Sequence, residues 1–308
     1  MKKKLTIIAA VLFVLLLCFY MAIPFAGSFQ YGINIKANND AVQRCLVSKA
    51  EWKRWWPGAA DSNGFSFSSC HYSINKITAA SVNITVISGN VNAGSAMQFF
   101  PTAHNNSRII WQGKINYDAN PVTRITGFFS GLSAKKNIST VLDSMKSFFD
   151  NADRVYGIAI RPEKVNDSTL IALQNTFNHF PATKEIYSMV DSLRNYTAKY
   201  NALQTDSPML NVLRLDALHY QTMVALPVNK ILPGTERFLP KNMVLGNILT
   251  ASVYGGVYSV TEGERQIANF VKDYDFISPA KPFQSLIVNR LEISDTSKWV
   301  TKLYYPVY

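Results

Sequence analysis

Apolar and polar residues alternate over 29–38 (FQYGINIKAN), the period of a strand with one buried face. The period then lengthens: Val42, Leu46 and Val47 share one face and predict a short helix from Asp40 to about Ala50. The stretch AEWKRWWPGA follows and ends in a Pro57-Gly58 break. Beyond it, residues 65–75, 77–88, 92–100, 107–118 and 121–129 are rich in Ile, Val, Thr, Phe and Tyr. Asn/Gly or Asn/Ser turns separate them, which predicts a meander of antiparallel strands. From Lys135 to about Asn151 the period is helical again, with Ile138, Val141, Leu142, Met145, Phe148 and Phe149 in one wide stripe. A curved sheet around one long closing helix would leave a hollow suited to binding.

After residues 151–154 (NADR) a second pattern begins and occurs twice. YGIAI, from Tyr156, reads as a strand. ATKEIYSMVDSLRNYTAKY reads as a helix with Thr183 as candidate N-cap and Ile186, Met189, Val190 and Leu193 in its stripe. NVLRLDALHYQTMVALPV then reads as two strands ending in Pro227-Val228. The second copy runs LTASVYGGVYSV, TEGERQIANFVKDY and SLIVNRLEISDTSKWVTKLYYPV. In it Thr261 to Glu264 fits a capping box, Ile267, Phe270, Val271 and Tyr274 form the stripe, and Pro306-Val307 ends the copy. Two such halves bury their apolar faces on one another and leave a cleft at the seam. The fold class expected is α+β: a helix-grip antiparallel sheet domain over 27–150, then a duplicated strand-helix-strand-strand domain over 151–308.

Residues 1–26 change the compartment. Lys2, Lys3 and Lys4 precede an apolar run from Leu5 or Ile7 to Ile23, stopped by Pro24. At about 1.5 Å per residue this nearly spans a hydrocarbon core. A removed signal peptide would want small residues at its cleavage site, where IPFAG offers Pro24 three before Gly27, and Cys18 follows Leu17 rather than a small residue. The segment reads as a cytoplasmic n-region and single-pass transmembrane anchor, with both domains extracytoplasmic; the alternative is a removed signal, which would leave both domains soluble and periplasmic or secreted.

Charge supports a membrane partner. Residues 30–150 carry 12 basic against 6 acidic side chains, and residues 151–308 carry 16 against 14. The basic excess is thus N-terminal, and without a Lys/Arg-rich run or a basic helical face no nucleic acid is expected. An exported location permits Cys45 and Cys70 to form a disulfide. Two separate buried thiols are the alternative, because spacing alone does not bring their Cα atoms together.

With WKRWWPG after the first helix, residues 29–150 resemble the START/polyketide-cyclase-like (SRPBCC) helix-grip family, many small bacterial members of which carry a Trp-rich segment there. The resemblance implies a fold and no particular ligand. Residues 155–308 resemble the GyrI-like (AraC-type) effector-binding domain through PATKEIY, YGGVYSV with its following Glu, the closing WVTKLYYPV and the duplication. This implies a small molecule held in the cleft. Two departures weaken cation binding and hydrolysis: Lys302 stands where that ending often carries an acid, and PFQSLIVN offers Gln284 and Ser285 where many relatives place a pocket Glu. The helix-turn-helix that accompanies this module in transcription regulators has no counterpart here.

The candidate ligand-binding residues are Tyr220, Tyr258, Glu262, Trp299, Tyr304 and Trp56. Tyrosine offers an apolar ring with a polar tip. Strand alternation puts Tyr220 with Thr222 and Val224, and Trp299 with Thr301, Leu303 and Tyr305, leaving Lys302 and Tyr304 opposite; which face meets the cleft stays open. Trp52 and Trp55 share one side of a helical turn and seal it onto the sheet, whereas Trp56 points elsewhere and is the one suited to a cavity mouth or a lipid interface. His71, His104, His179 and His219 show no ligand spacing, so no metal is expected, and no nucleotide or nucleophile-elbow motif calls for a cofactor or a catalytic role. The reading is a non-catalytic, membrane-anchored protein that binds a small, partly apolar ligand in its C-terminal cleft. The alternatives are a hydrolase-type enzyme using Glu262, Glu292 or His219, and an interaction scaffold whose clefts are filled by bulky aromatics.

Overall fold

Alternation in the first strand is realised as β1 (Ala26–Ile35), which pairs antiparallel with β7 (Ser107–Asn116) along its whole length. The computed structural model describes residues 20–165 and 169–308, together with 8, 10, 11, 14 and 18. It divides the chain into units Met1–Asn151 and Ala152–Tyr308. The apolar span read at residues 5–23 falls largely outside the described residues. Among those described, no helix is long and apolar enough to cross a membrane.

Unit 1 is one antiparallel sheet in the order β1-β7-β6-β5-β4-β3-β2. Its remaining strands are β2 (Ala59–Ala60), β3 (Phe65–Phe67), β4 (Cys70–Ile77), β5 (Ser81–Ser88) and β6 (Val91–Pro101). Helix α1 (Asn39–Val47) is capped by Asn38, whose Oδ1 accepts from the Asp40 N–H at 2.8 Å. A 3₁₀ turn, Glu51–Arg54, carries the tryptophans.

The strand expected over 121–129 is instead the start of α2 (Pro121–Phe149). Asn120 Oδ1 accepts from the N–H groups of Val122 (3.0 Å) and Thr123 (3.4 Å), and Pro121 sits in the first turn, where its missing N–H is no loss. These terminus signals outweigh the β-branched content. Gly131 lets the first half of α2 close on Tyr117, the residue after β7, for a Cβ there would lie 2.7 Å from the Tyr117 hydroxyl oxygen. The second half buries Ile138, Val141, Leu142, Met145, Phe148 and Phe149 against the sheet.

The hollow expected between sheet and helix is filled. Trp52, Trp55 and Trp56 are all buried, with ring centroids 4.8 to 6.0 Å apart. Trp56 edges onto Tyr72 at 4.9 Å, and Tyr72 continues to Trp111 at 6.0 Å. Trp56 is only 7% exposed and its Nε1 donates to Ser66 O at 3.1 Å, so it lacks the exposure that a cavity mouth or a lipid interface requires. The disulfide left open by the sequence is not formed: Cys45 and Cys70 are separate buried thiols, and Cys70 Sγ accepts from Asn137 Nδ2 at 3.2 Å.

The chain reaches β1 along the N-terminal end of α2. Tyr117 N–H donates to Phe25 O at 2.9 Å and Tyr20 OH to Ala119 O at 3.0 Å. The buried Arg124 guanidinium lies over the Phe25 ring at 3.6 Å and the Tyr20 ring at 4.6 Å, and donates to Ile23 O.

Unit 2 opens with a short helix, α3 (Ala152–Tyr156), where a strand was expected from Tyr156. Gly157, at φ +73°, ends the turn, and Tyr156 is drawn inward by its hydrogen bond to Asp273 Oδ2 at 2.6 Å. The strand, β8, follows at Arg161–Val165. The first copy comprises β9 (Thr169–Phe177), α4 (Thr183–Lys199), β10 (Met209–Arg214) and β11 (Tyr220–Pro227). After β12 (Leu239–Asn242), the second copy comprises β13 (Gly246–Tyr254), α5 (Val257–Asp273), β14 (Phe283–Leu286) and β15 (Val300–Val307).

Two helix starts differ from expectation. Ala182 is the N-cap of α4, with Thr183 its first residue, and Glu185 Oε2 accepts the Ala182 N–H at 2.7 Å. Helix α5 begins a turn before Thr261, directly after Gly255 (φ +118°) and the N-cap Gly256. Thr261 to Glu264 is therefore helix interior.

The sheet order is β12-β9-β11-β10-β14-β15-β13-β8, so the copies meet at the β10–β14 pair, where Met209 faces Ser285 and Leu210 faces Gln284. Each copy is preceded by a short strand that pairs with the other copy: β8 with β13 and β12 with β9. Val165 to Thr169 and Asn242 to Gly246 are four residues apart, a reach of roughly 14 Å. Such short links between the two ends of an eight-stranded sheet require it to curl. Its outer face buries Ile171, Leu173, Val224 and Leu226 under Ile186, Val190 and Leu193 of α4.

Candidate functional site

A groove of about 380 Å³ opens where the two copies meet. Its walls come from α4 (Tyr187, Arg194), the approach to β10 (Asp206, Pro208), the last residue of β14 (Leu286) and the segment after it (Asn289). Local bonds fix them. Leu286 N–H donates to Pro208 O at 2.8 Å, closing the seam. Tyr187 OH donates to Val288 O at 2.9 Å and accepts the Arg290 N–H at 2.9 Å, so a helix of one copy is tied to the strand exit of the other. Arg194 reaches Asp191 Oδ1 and Gln204 Oε1, both at 3.4 Å, and Asp206 Oδ1 accepts the Ser207 N–H at 2.6 Å.

Beside this groove Arg290 is 8% exposed. Its Nη2 donates to Thr301 Oγ1 at 2.6 Å and its guanidinium lies 5.0 Å from the Trp299 ring centroid. Burial pushes its pKa below the ordinary arginine value, with the Tyr187 hydroxyl opposing weakly.

The opposite face of the sheet holds a second polar cluster. Thr301 and Leu303 are buried on the α5 side, which answers the question of faces: Lys302 and Tyr304 lie on the side away from the helices. Lys302 Nζ is 2.9 Å from both oxygens of Glu163, and Glu163 Oε1 also accepts from Thr250 Oγ1 at 2.8 Å. Burial by itself would lower the Lys302 pKa, but the hydrogen bond to Glu163 together with the charges and hydrogen bonding of Glu163 and Tyr304 outweighs it, and the net shift is upward. The Glu163 carboxyl is likewise raised by burial and brought below its ordinary value by Lys302 and Thr250. Tyr304 stacks on Phe283 at 4.8 Å and 7°, and burial raises its hydroxyl pKa.

The residues singled out from sequence do not converge. Trp56 belongs to the core of unit 1. Tyr220 packs edge-on against Phe180 at 5.8 Å, and Tyr258 is 86% exposed at the start of α5. Glu262 is held by Arg265 and Gln266 on the surface of α5. Trp299 is buried, with Nε1 donating to Ile293 O at 2.8 Å. Glu292 accepts from Asn289 and is exposed, and His219 is an exposed partner of Asp216 at 2.8 Å.

Sequence reasoning missed Tyr187, Arg194, Asp206, Arg290 and Glu163. It also passed over Glu264, whose half-buried carboxylate accepts from Gln284 Nε2 at 2.9 Å and whose pKa is raised by burial. Nothing in the periodicity distinguishes these from surface polar positions. Among the described residues no group of His, Cys, Asp and Glu forms a metal cage.

No family model matches the chain, and no curated protein does. Solved structures with partial likeness include the EcmrR C-terminal domain, at TM-score 0.43 and 12% identity over 49% of this chain and 98% of that one. An uncharacterized conserved protein from Listeria innocua gives 0.39 and 8% over 48% and 92%. SAV2435 bound to tetraphenylphosphonium gives 0.32 and 9% over 49% and 94%. At these TM-scores the likeness carries no ligand, activity or partner across to this chain.

Proposed function

We propose that unit 2 is a GyrI-like, non-catalytic module that binds a small, partly apolar molecule at the seam between its two copies. The groove between α4 and the β14 exit carries this reading, for it combines the apolar side chains of Ile287 and Val288 with fixed polar groups at Tyr187, Arg194 and Asp206. The absence of catalysis rests on the placement of the titratable groups. Lys302 is bound to Glu163 and kept protonated, while Glu262, Glu292 and His219 stand on the surface with neighbours of their own. Residues 1–26 anchor the chain in a membrane with the N-terminus cytoplasmic and both units outside, a reading supported by Lys2 to Lys4 ahead of the apolar run. Unit 1, its interior filled by tryptophan, serves as a rigid module and takes no ligand between sheet and helix.

Native mass spectrometry of the full chain, purified from its own host in mild detergent, tests the binding reading. A stoichiometric small molecule that is released on unfolding is the expected result. A bare chain, together with no thermal shift across a metabolite and lipid panel, transfers the reading to an interaction scaffold.

A further inference from the structure

Arg290 is a buried cation with no anion beside it among the described residues. A buried guanidinium is ordinarily matched by a carboxylate, because moving an unpaired charge out of water is costly. Here its surroundings are the Trp299 ring, the Thr301 hydroxyl and the Tyr187 hydroxyl, and among the described residues no carboxylate forms an ion pair with it. Nε is buried without a partner, and Nη2 is committed to Thr301. Nη1 donates to no described residue and, unlike Nε, is not fully buried.

The place matters as much as the charge. Arg290 directly follows Val288 and Asn289 of the groove wall, and its own N–H ends on the hydroxyl of Tyr187, another wall residue. Thr301, which holds Nη2, pairs across the sheet with Leu286 at the groove. Arg194 adds a second cation on the rim; Asp191 beside it and Asp206 in the wall are the acids present. A guanidinium of fixed orientation with Nη1 left over suits one oxygen of a carboxylate or phosphate, through a charge-assisted hydrogen bond.

We propose that the seam groove takes an anionic small molecule, an apolar or aromatic body bearing a carboxylate or phosphate, whose anionic group closes on Arg290. This rests on the reading of unit 2 as a binding module and adds the charge of its ligand. Apolar contacts come from Ile287 and Val288, and the Trp299 ring lies against the guanidinium.

The test uses 4-fluorobenzoate and its neutral isostere 4-fluorobenzamide with the full chain in detergent, read by fluorine NMR. 4-Fluorobenzoate should broaden and shift on binding, with an affinity at least tenfold above that of the amide. A local readout comes from 5-fluorotryptophan labelling. Trp299 is the tryptophan of unit 2, among 5 in the chain, and its resonance, assigned with Trp299→Phe, should move with the acid and stay with the amide. Arg290→Met should remove acid binding at least tenfold. If that variant fails to fold, the acid-to-amide ratio and the Trp299 resonance of the unaltered chain still decide. Equal binding of acid and amide, binding of neither, or acid binding that survives Arg290→Met overturns the proposal. A neutral or cationic host ligand in the mass spectrum overturns it while leaving the binding module standing; a bare chain that also ignores both probes removes both.

Discussion

The Tyr187 hydroxyl and the Arg290 backbone meet at 2.9 Å across 103 residues of chain, and the same oxygen donates to Val288. One phenol therefore holds the helix of the first copy to the strand exit of the second. Tyr187→Phe leaves a buried N–H and a carbonyl without their partner, a loss of about 1–3 kcal/mol. Chemical denaturation should show unit 2 weakened by that amount, with ligand retention lost at the same time. An unchanged midpoint would mean that the seam is held by the sheet alone.

The Glu163–Lys302 pair gives unit 2 a pH signature. Glu163 is held below its ordinary 4.5, so its contribution is present above that value and fades as pH falls through the lower folded value. Lys302 is held above its ordinary 10.5, so its contribution is present below that value and fades as pH rises through the higher folded value. Both side chains are partly solvated, at 27% and 43%, and the pair is worth at most about 1 kcal/mol. Glu163→Gln should flatten the acid limb of the unit 2 stability profile as pH falls through and below 4.5, by at most about 1 kcal/mol. A profile identical to that of the unaltered chain would deny the pair any energetic role.

Trp56 tests the filled interior of unit 1. Removing its ring opens a void bounded by Trp52, Phe65 and Tyr72. Trp56→Ala should cost about 3–5 kcal/mol, with loss of the near-ultraviolet aromatic signal. A loss under about 1 kcal/mol would indicate that the ring lies at an open mouth after all.

Asn120 tests the origin of the long helix. Asn120→Ala removes both acceptor contacts at the start of α2 and should cost about 1 kcal/mol. Amide exchange should quicken first over 121–126. Exchange unchanged there would assign the helix start to packing of Gly127 and Gly131 instead.

How far the sequence is legible depends on where each signal sits. The stripe at Ile138 to Phe149 and the duplicated pattern after residue 155 are periodic over long windows, and the helices and the mixed α+β class follow from them. At 121–129 composition misled, because the two-residue Asn120-Pro121 terminus outweighs the β-branched and aromatic residues that follow it. At Tyr156 a single glycine and one buried carboxylate partner, Asp273, decided the local conformation from 117 residues away. The groove was illegible for the same kind of reason. Tyr187 and Arg290 acquire their character only when β10 and β14 are placed side by side. The aromatics that draw the eye, Tyr258 and Trp56, ended at opposite extremes of exposure, and residue type alone carries no information about which.

The crossed placement of β8 and β12 bears on how such a unit can come apart. Each half lends its leading strand to the far edge of the other, so neither half owns a finished sheet. Cutting the chain anywhere between the copies would leave two pieces that still need each other, and trimming residues 161–165 would bare the edge of β13, some eighty positions downstream. Two separate half-length chains obeying the same exchange would close the same eight strands as a symmetric pair. The fused arrangement keeps that bargain within one polypeptide: loss of either end is felt first at the opposite side of the molecule, and the seam with its groove persists only while both loans are honoured.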